Sequence, residues 1–360
     1  MIKRPKKLLY ISKDIFSSAK GGREQLSRLN FKILKEIYQE DLSWFDISPK
    51  KLNTTRSRFL GIFGYIDGLN EASCNQILNL LQTSDVQQVF LDGSNFGRLI
   101  KLIKIANPRL EIICYFHNVE TKFFYDAFIK NITIKSFFVL IANFLAERLA
   151  VKFSDKLISL SVRDSSVLFS IFRKHASYIS PLIVETFPAG LKESVIPQST
   201  YHIFVGGAFY ANINGLRWFI KNVMPNIEDS LYIIGKGFEK YRIEFEKCTN
   251  VYVLGYVEDI IPWYKGSKYA IAPIFEGSGM KTKIAESLMF GKIIIGSSEA
   301  FSGYEEVSNI AGAQCNSADE FIHAIKNYET SSNEHDRYEA YKAHYSYEAG
   351  KMRLTTILNK

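Results

Sequence analysis

Apolar, β-branched segments recur along the chain, and the stretches between them carry apolar residues three and four positions apart. Residues 8–12, 86–91, 110–116 and 156–160 read as strands. Helices are predicted between them over 22–38, 95–106 and 134–153. An irregular passage, 181–200, contains Pro188, Gly190 and Pro197 and has the composition of a linker. A second series follows it, with strands over 201–205, 231–235, 251–255, 269–273 and 292–296, and helices over 214–223, 238–247, 259–265 and 281–290. Strands that alternate with helices predict parallel βαβ units, here twice over. The expected fold class is therefore α/β, with two doubly wound Rossmann-like domains. The first spans 1–185, the linker 186–200 and the second 201–344, and a last helix in 345–360 is expected to cross back to the first domain.

Composition narrows this picture without choosing a function. Of 360 residues, 47% are hydrophobic, 14% aromatic and 23% charged, which excludes a disordered or collagen-like chain. No apolar run approaches the ~20 residues of a membrane-spanning helix. The basic residues 1–7 are followed by a short strand and then by charge, not by a signal-peptide core, so a cytoplasmic protein is expected. Cys74, Cys114, Cys248 and Cys315 are scattered without metal-ligand spacing, and buried apolar roles are expected for them. A net charge of +8 suits an acidic partner, whether a nucleoside diphosphate, an anionic membrane surface or nucleic acid. No motif for nucleic acid is present. The stretch from Lys122 to Phe138 mixes cations with aromatics, as a peripheral helix at the inner face of a membrane would.

Chemistry concentrates between Ala272 and Lys292. A strand ends near Pro273, a turn with Gly277 and Gly279 follows, and a helix opens near Met280. Free backbone N–H groups and the positive end of the helix dipole then face the crevice beyond the carboxyl ends of the strands. Gly277 and Gly279 permit close approach of a phosphate or sugar, Lys281 and Lys283 supply cations, and Glu286 can accept hydrogen bonds from a pair of ribose hydroxyls. The plain alternative is an ordinary turn with Lys283 and Glu286 as a surface pair three residues apart.

This stretch resembles the retaining glycosyltransferases known as group 1 or family 4. The likeness continues through Phe204 to Gly207, Asn212 to Phe219, Leu231 to Gly237, Val253 to Asp259 and Phe301 to Glu305, in the order that family shows. It implies a GT-B fold with two domains facing a central cleft, a nucleoside-diphosphate sugar donor, no obligatory metal or other cofactor, and retention of anomeric configuration. Lys20 to Glu24 resembles the family's Gly-Gly loop at the donor, and His117 to Glu120 its His-Asn-x-Glu strand end beside the reacting sugar. The resemblance thus implies donor contacts by Gly21, Gly22, Gly206, Gly207, Gly279, Met280, Lys281, Thr282, Lys283 and Glu286, and catalytic places for His117 and Glu276. Two positions depart from the pattern. The first of the family's two spaced glutamates aligns with Ser278, while Glu276 comes two residues early. The loop after the Phe-Val-Gly strand holds Gly207, Ala208 and Asn212 in place of an Arg and a Lys, so Lys281 and Lys283 are expected at the diphosphate, Lys281 the closer.

The implied reaction is hexosyl transfer to a glycan or lipid-linked glycan, as in capsule or lipopolysaccharide assembly. A sugar-nucleotide 2-epimerase and a non-catalytic partner subunit share the fold, and release of free nucleoside diphosphate separates transfer from both. A dehydrogenase needs GxGxxG after the first strand, which Gly21 and Gly22 do not supply. Ser161 and Asp164 are expected to cap the helix after strand 156–160.

Overall fold

A computed structural model describes residues 6–13, 15, 21–47, 61–187, 196–329 and 332–360. The basic residues 1–5, Lys20 and much of the linker, with Pro188 and Gly190, lie outside them. The chain divides into two compact units, Met1–Pro181 with Lys351–Lys360, and Leu182–Gly350.

The first unit holds a parallel six-stranded sheet made of β1 (Leu8–Lys13), β2 (Leu42–Ile47), β3 (Gln88–Asp92), β4 (Glu111–Phe116), β5 (Lys156–Ser159) and β6 (Tyr178–Ile179). The strands lie in the order β2-β1-β3-β4-β5-β6. Strands covered by helices on both faces must be apolar on both, and β3 is buried at every residue. Leu9, Ile11, Val89, Leu91 and Cys114 meet Leu99, Ile100 and Ile103 of helix Gly97–Ala106 in the core. Edge strand β2 exposes Ser43 and Trp44, so it lacks the apolar run by which its neighbours announce themselves. The end of helix Tyr347–Asn359 returns to this sheet, where Gln88 Nε2 donates to the Leu358 carbonyl at 3.2 Å and Lys156 Nζ to the Ile357 carbonyl at 3.1 Å. Ser161 caps helix Val162–Phe172 by accepting from the Asp164 N–H at 3.1 Å.

The second unit repeats the architecture with β7 (Tyr201–Val205), β8 (Ser230–Ile234), β9 (Val251–Gly255), β10 (Tyr269–Ala272), β11 (Ile293–Gly296) and β12 (Gly312–Gln314). Its order is β12-β11-β10-β7-β8-β9, all parallel. Strand order reverses between β7 and β10, so their following loops diverge and leave a crevice at the carboxyl edge. Helix Tyr210–Asn222, which follows β7, packs against the start of the loop after β10. Only glycine fits at 215, because a Cβ there would lie 1.8 Å from the Pro273 carbonyl oxygen.

Two expectations change. The helix foreseen over 238–247 is a 3-10 turn, Phe238–Tyr241, followed by one short turn, Arg242–Phe245. Cys74, Cys114 and Cys315 are buried, but Cys248 is half-exposed, with its Sγ 3.1 Å from Asn250 Oδ1. Among the described residues no helix is long and apolar enough to cross a membrane.

Candidate active site

In the second unit the loops after β7 and β10 flank the reversal of strand order. Gly277 and Gly279 turn the chain from β10 into helix Thr282–Met289 with φ of 120° and 67°, values that a side chain disfavours. Lys281 is the N-cap residue and makes no side-chain capping bond, so the first turn presents its N–H groups and dipole at the carboxyl edge of the sheet.

Lys283 reaches from this helix across to the loop after β7. Its Nζ donates to Asn212 Oδ1 at 2.9 Å and lies 4.1 Å from the centroid of the Phe204 ring. A Cβ on Gly206 would sit 3.4 Å from the same nitrogen. The side chain is only 8% exposed, and burial drives its pKa down to about 7, against the pull of Glu286 and with the help of Lys281. Asn212 also donates through Nδ2 to the Gly207 carbonyl at 2.8 Å, which fixes the loop that faces the ammonium.

Lys281 points elsewhere. Its Nζ pairs with Glu299 Oε1 at 2.6 Å and donates to the Gly279 carbonyl at 2.9 Å, while Tyr304 Oη donates to the Lys281 carbonyl at 2.7 Å. Of the two lysines, Lys283 occupies the crevice, while Lys281, expected to be the closer to the diphosphate, braces the turn. Lys281 is the extended N-cap residue and Lys283 lies inside the helix, so the two side chains need not share a face, and packing decides which of them turns inward.

Glu286 lies one turn beyond Lys283. Burial raises its carboxyl above the ordinary range, Lys283 opposes the shift, and Tyr264 Oη donates to it at 3.4 Å. The plain alternative of an open surface pair does not hold, since Lys283 is buried and its hydrogen bond goes to Asn212. Glu276, Ser278 and Met280 lie half-buried in the turn, and Thr282 is the first helical residue.

A second cluster gathers at the carboxyl edge of the first unit's sheet. Gly21 is the extended N-cap residue of helix Gly22–Tyr38. Arg23, one residue into that helix, donates to Asp67 Oδ2 at 2.8 Å, and Asp67 also accepts from Asn95 Nδ2 at 3.1 Å and pairs with Lys13. Burial opposes ionisation of Asp67, but Arg23 and Lys13 beside it hold its carboxyl well below the usual range. His117 follows β4 and is enclosed, with Nε2 2.8 Å from Asp92 Oδ1 and 3.4 Å from Ser27 Oγ. Its Nδ1 is buried without a hydrogen-bond partner among the described residues. Asp92 stays ionised in spite of burial because His117, Tyr10 and Ser27 all favour the carboxylate. Burial pushes Glu120 up to about 7, opposed by Arg23 and reinforced by Glu147 and Asp67. Glu147 itself is fully buried and takes the N–H groups of Glu120 and Thr121, both at 2.8 Å, at the start of helix Glu120–Lys130.

Residues 200–330 match the family model of glycosyl transferases group 1. That match covers the greater part of the second unit. No curated protein matches its sequence. The fold is GT-B, shared with sucrose-phosphate synthase from Thermosynechococcus elongatus at a TM-score of 0.71, 11% identity and 98% coverage of each chain. HepE from Anabaena, solved with UDP, matches at a TM-score of 0.66 and 12% identity over 98% of this chain and 99% of that one. The lipopolysaccharide outer core galactosyltransferase WaaB matches at 0.60 and 12% over 97% and 98%.

The candidates drawn from the sequence fall into two sets. Gly206, Gly207, Lys283 and Glu286 gather at the β7 and β10 edge, with Gly279 to Thr282 forming the turn beside them. Gly21, Gly22 and His117 belong to the first unit's edge. Sequence reasoning passed over Asn212 as a lysine partner, and over Asp67, Asp92 and Glu147. Two of these had a signal: Asp92-Gly93 closes an apolar strand, and Glu147 is the one acidic residue in the mostly apolar run 134–153. Asp67, at a turn with φ of 56°, had none.

Proposed function

We propose that this protein is a glycosyltransferase that moves a hexose from a UDP-sugar to a glycan or lipid-linked glycan with retention of configuration, in the synthesis of a cell-surface polysaccharide. The observation that carries the donor assignment is Lys283, a buried ammonium with a pKa near 7 in the switch-point crevice of a group 1 domain. A diphosphate there returns the lysine to its charged form and finds the N–H groups of helix Thr282–Met289 beside it. Glu286 then takes the ribose hydroxyls. The leaving group gains negative charge as the bond from C1 to the phosphate oxygen breaks, so a cation held in a dry site stabilises the transition state more than the ground state. In transfer with retention the acceptor hydroxyl attacks C1 from the face the phosphate leaves, and its proton passes to the leaving phosphate oxygen. HepE was solved with UDP-glucose, and WaaB is a galactosyltransferase, which favours UDP-hexoses among possible donors.

The test is a thermal-shift series with UDP, GDP, ADP, CMP and their sugars, in which a cognate nucleotide at 100 times its Kd adds about 2.7 kcal/mol of stability. Glu286→Ala is expected to weaken nucleotide binding and abolish most transfer. Equal nucleotide affinity in this variant and the wild type would remove Glu286 from the ribose.

A further inference from the structure

The first unit carries a feature that the transfer reaction does not use. Helices Glu120–Lys130 and Ile134–Phe153 form a hairpin joined by Asn131, Ile132 and Thr133. Its tip is apolar and open: Ile132 and Ile134 are 75% and 79% exposed, and Ile129, Phe137 and Phe138 stand about half-exposed beside them. A contiguous apolar patch of this kind is unusual on a soluble surface and marks a place of contact. Between Asp126 and Glu147 the sequence contains no acidic residue, and the exposed Lys130 and Lys135 flank the turn.

Part of the turn's polar backbone is bonded internally. Asn131 N–H donates to the Ala127 and Phe128 carbonyls, and Ser136 Oγ donates to the Asn131 carbonyl at 2.8 Å and accepts from Thr133 N–H at 3.0 Å. The Thr133 carbonyl takes the Phe137 N–H, and Thr133 Oγ1 accepts from Ser136 N–H, both at 3.0 Å. A turn that bonds several of its N–H and C=O groups internally has fewer of them to strip of water than a loop that relies on solvent for all of them. Apolar side chains at the apex, a partly self-bonded turn and two long cations beside it describe a wedge for the boundary between headgroups and acyl chains.

We propose that this hairpin tip docks the enzyme on an anionic lipid bilayer, with Ile132 and Ile134 entering the interface and Lys130 and Lys135 contacting the headgroups. The inference goes beyond the transfer reaction and does not depend on the donor assignment. A lipid surface is favoured over a protein partner by the exposed cations on both sides of the apolar tip, with no acidic residue from Ala127 to Ala146.

Co-sedimentation of the full chain with vesicles of pure phosphatidylcholine, and with vesicles containing about one third phosphatidylglycerol, reads it directly. The wild type should pellet with the anionic vesicles and be released by high salt. Ile132→Ser with Ile134→Ser should lower the partition coefficient by at least about tenfold. Lys130→Gln and Lys135→Gln should each lower it roughly fivefold on anionic vesicles only. Circular dichroism and release of nucleoside diphosphate from the cognate sugar donor should be unchanged in every variant, since none of these residues belongs to the candidate site. Equal pelleting of wild type and the double Ser variant overturns the proposal. So does absence of wild-type pelleting, whether or not the patch proves to join two copies in sedimentation velocity. Loss of donor turnover in the wild type itself counts against the transfer reading and leaves the vesicle result standing.

Discussion

At pH 7, replacing Lys283 by Met should make the fold more stable and the proposed transfer slower. The ammonium is buried and its pKa falls from 10.5 to about 7, so between these values the unfolded chain binds more protons than the folded one. Stability therefore rises with pH through that window, and the full penalty of burying the charge is present below pH 7. Linkage makes that penalty about 4 kcal/mol at pH 7 and about 1 kcal/mol at pH 10. Methionine keeps much of the aliphatic stem and carries no charge, so it escapes the penalty at both ends. Losing the hydrogen bond to Asn212 subtracts on the order of 1–3 kcal/mol from the variant throughout, which leaves the pH-dependent part as the decisive quantity. The stability advantage of Lys283→Met should shrink by about 3 kcal/mol between pH 7 and pH 10. Urea unfolding followed by tryptophan fluorescence measures this, since Trp218 and Trp263 belong to the same unit. In parallel, kcat/KM with the cognate donor should fall by about 10- to 1,000-fold, by comparison with loss of one preorganised donor to a developing charge. Wild-type affinity for the nucleoside diphosphate should strengthen as pH falls from 9 to 6, because binding takes up a proton on Lys283. Parallel stability profiles for the two proteins would refute the buried ammonium, and unchanged kinetics would remove Lys283 from the diphosphate.

Lys281→Met should lower kcat/KM less than Lys283→Met, by under about tenfold, because its ammonium is already neutralised by Glu299; a loss equal to that of Lys283→Met would show that the two share the diphosphate. Gly215→Ala forces a Cβ onto the Pro273 carbonyl and should destabilise the second unit by about 1–3 kcal/mol while weakening nucleotide binding through the displaced turn. An unchanged Tm and nucleotide affinity in that variant would mean the helix and loop do not hold each other.

Much of the fold was legible because fully covered parallel strands are apolar on both faces. β3, β4, β7 and β10 are near-continuous buried runs, and each was visible in the sequence close to its observed bounds. The strands that escaped lie at sheet edges or are very short. β2 exposes Ser43 and Trp44, β6 has two residues, and β12 has three, none of them buried. Helix Glu71–Thr83 went unread although Asn70 and Ser73 form a capping box at its start. The chemistry-bearing turn was legible for a different reason. Gly277 and Gly279 are spaced for positive φ just where an apolar strand gives way to an amphipathic helix, and that junction needs no distant partner to form.

What lay beyond the sequence is everything that depends on which segments become neighbours. Nothing local says that β10 pairs with β7 rather than with β9, yet that pairing opens the crevice and brings Asn212 and Phe204 to Lys283. The same holds for Asp92, which ends β3, and His117, which follows the neighbouring β4 25 positions on, and for Glu147, which meets Glu120 only because two helices fold back on each other. The sequence by itself determined strand and helix identity, the glycine turn and the charge of the loops, because these follow from short-range sterics and from the period at which apolar residues must recur. Tertiary structure alone decided that Lys283 is buried while Lys281 is paired with Glu299, because burial and ion pairing depend on atoms supplied by other parts of the chain.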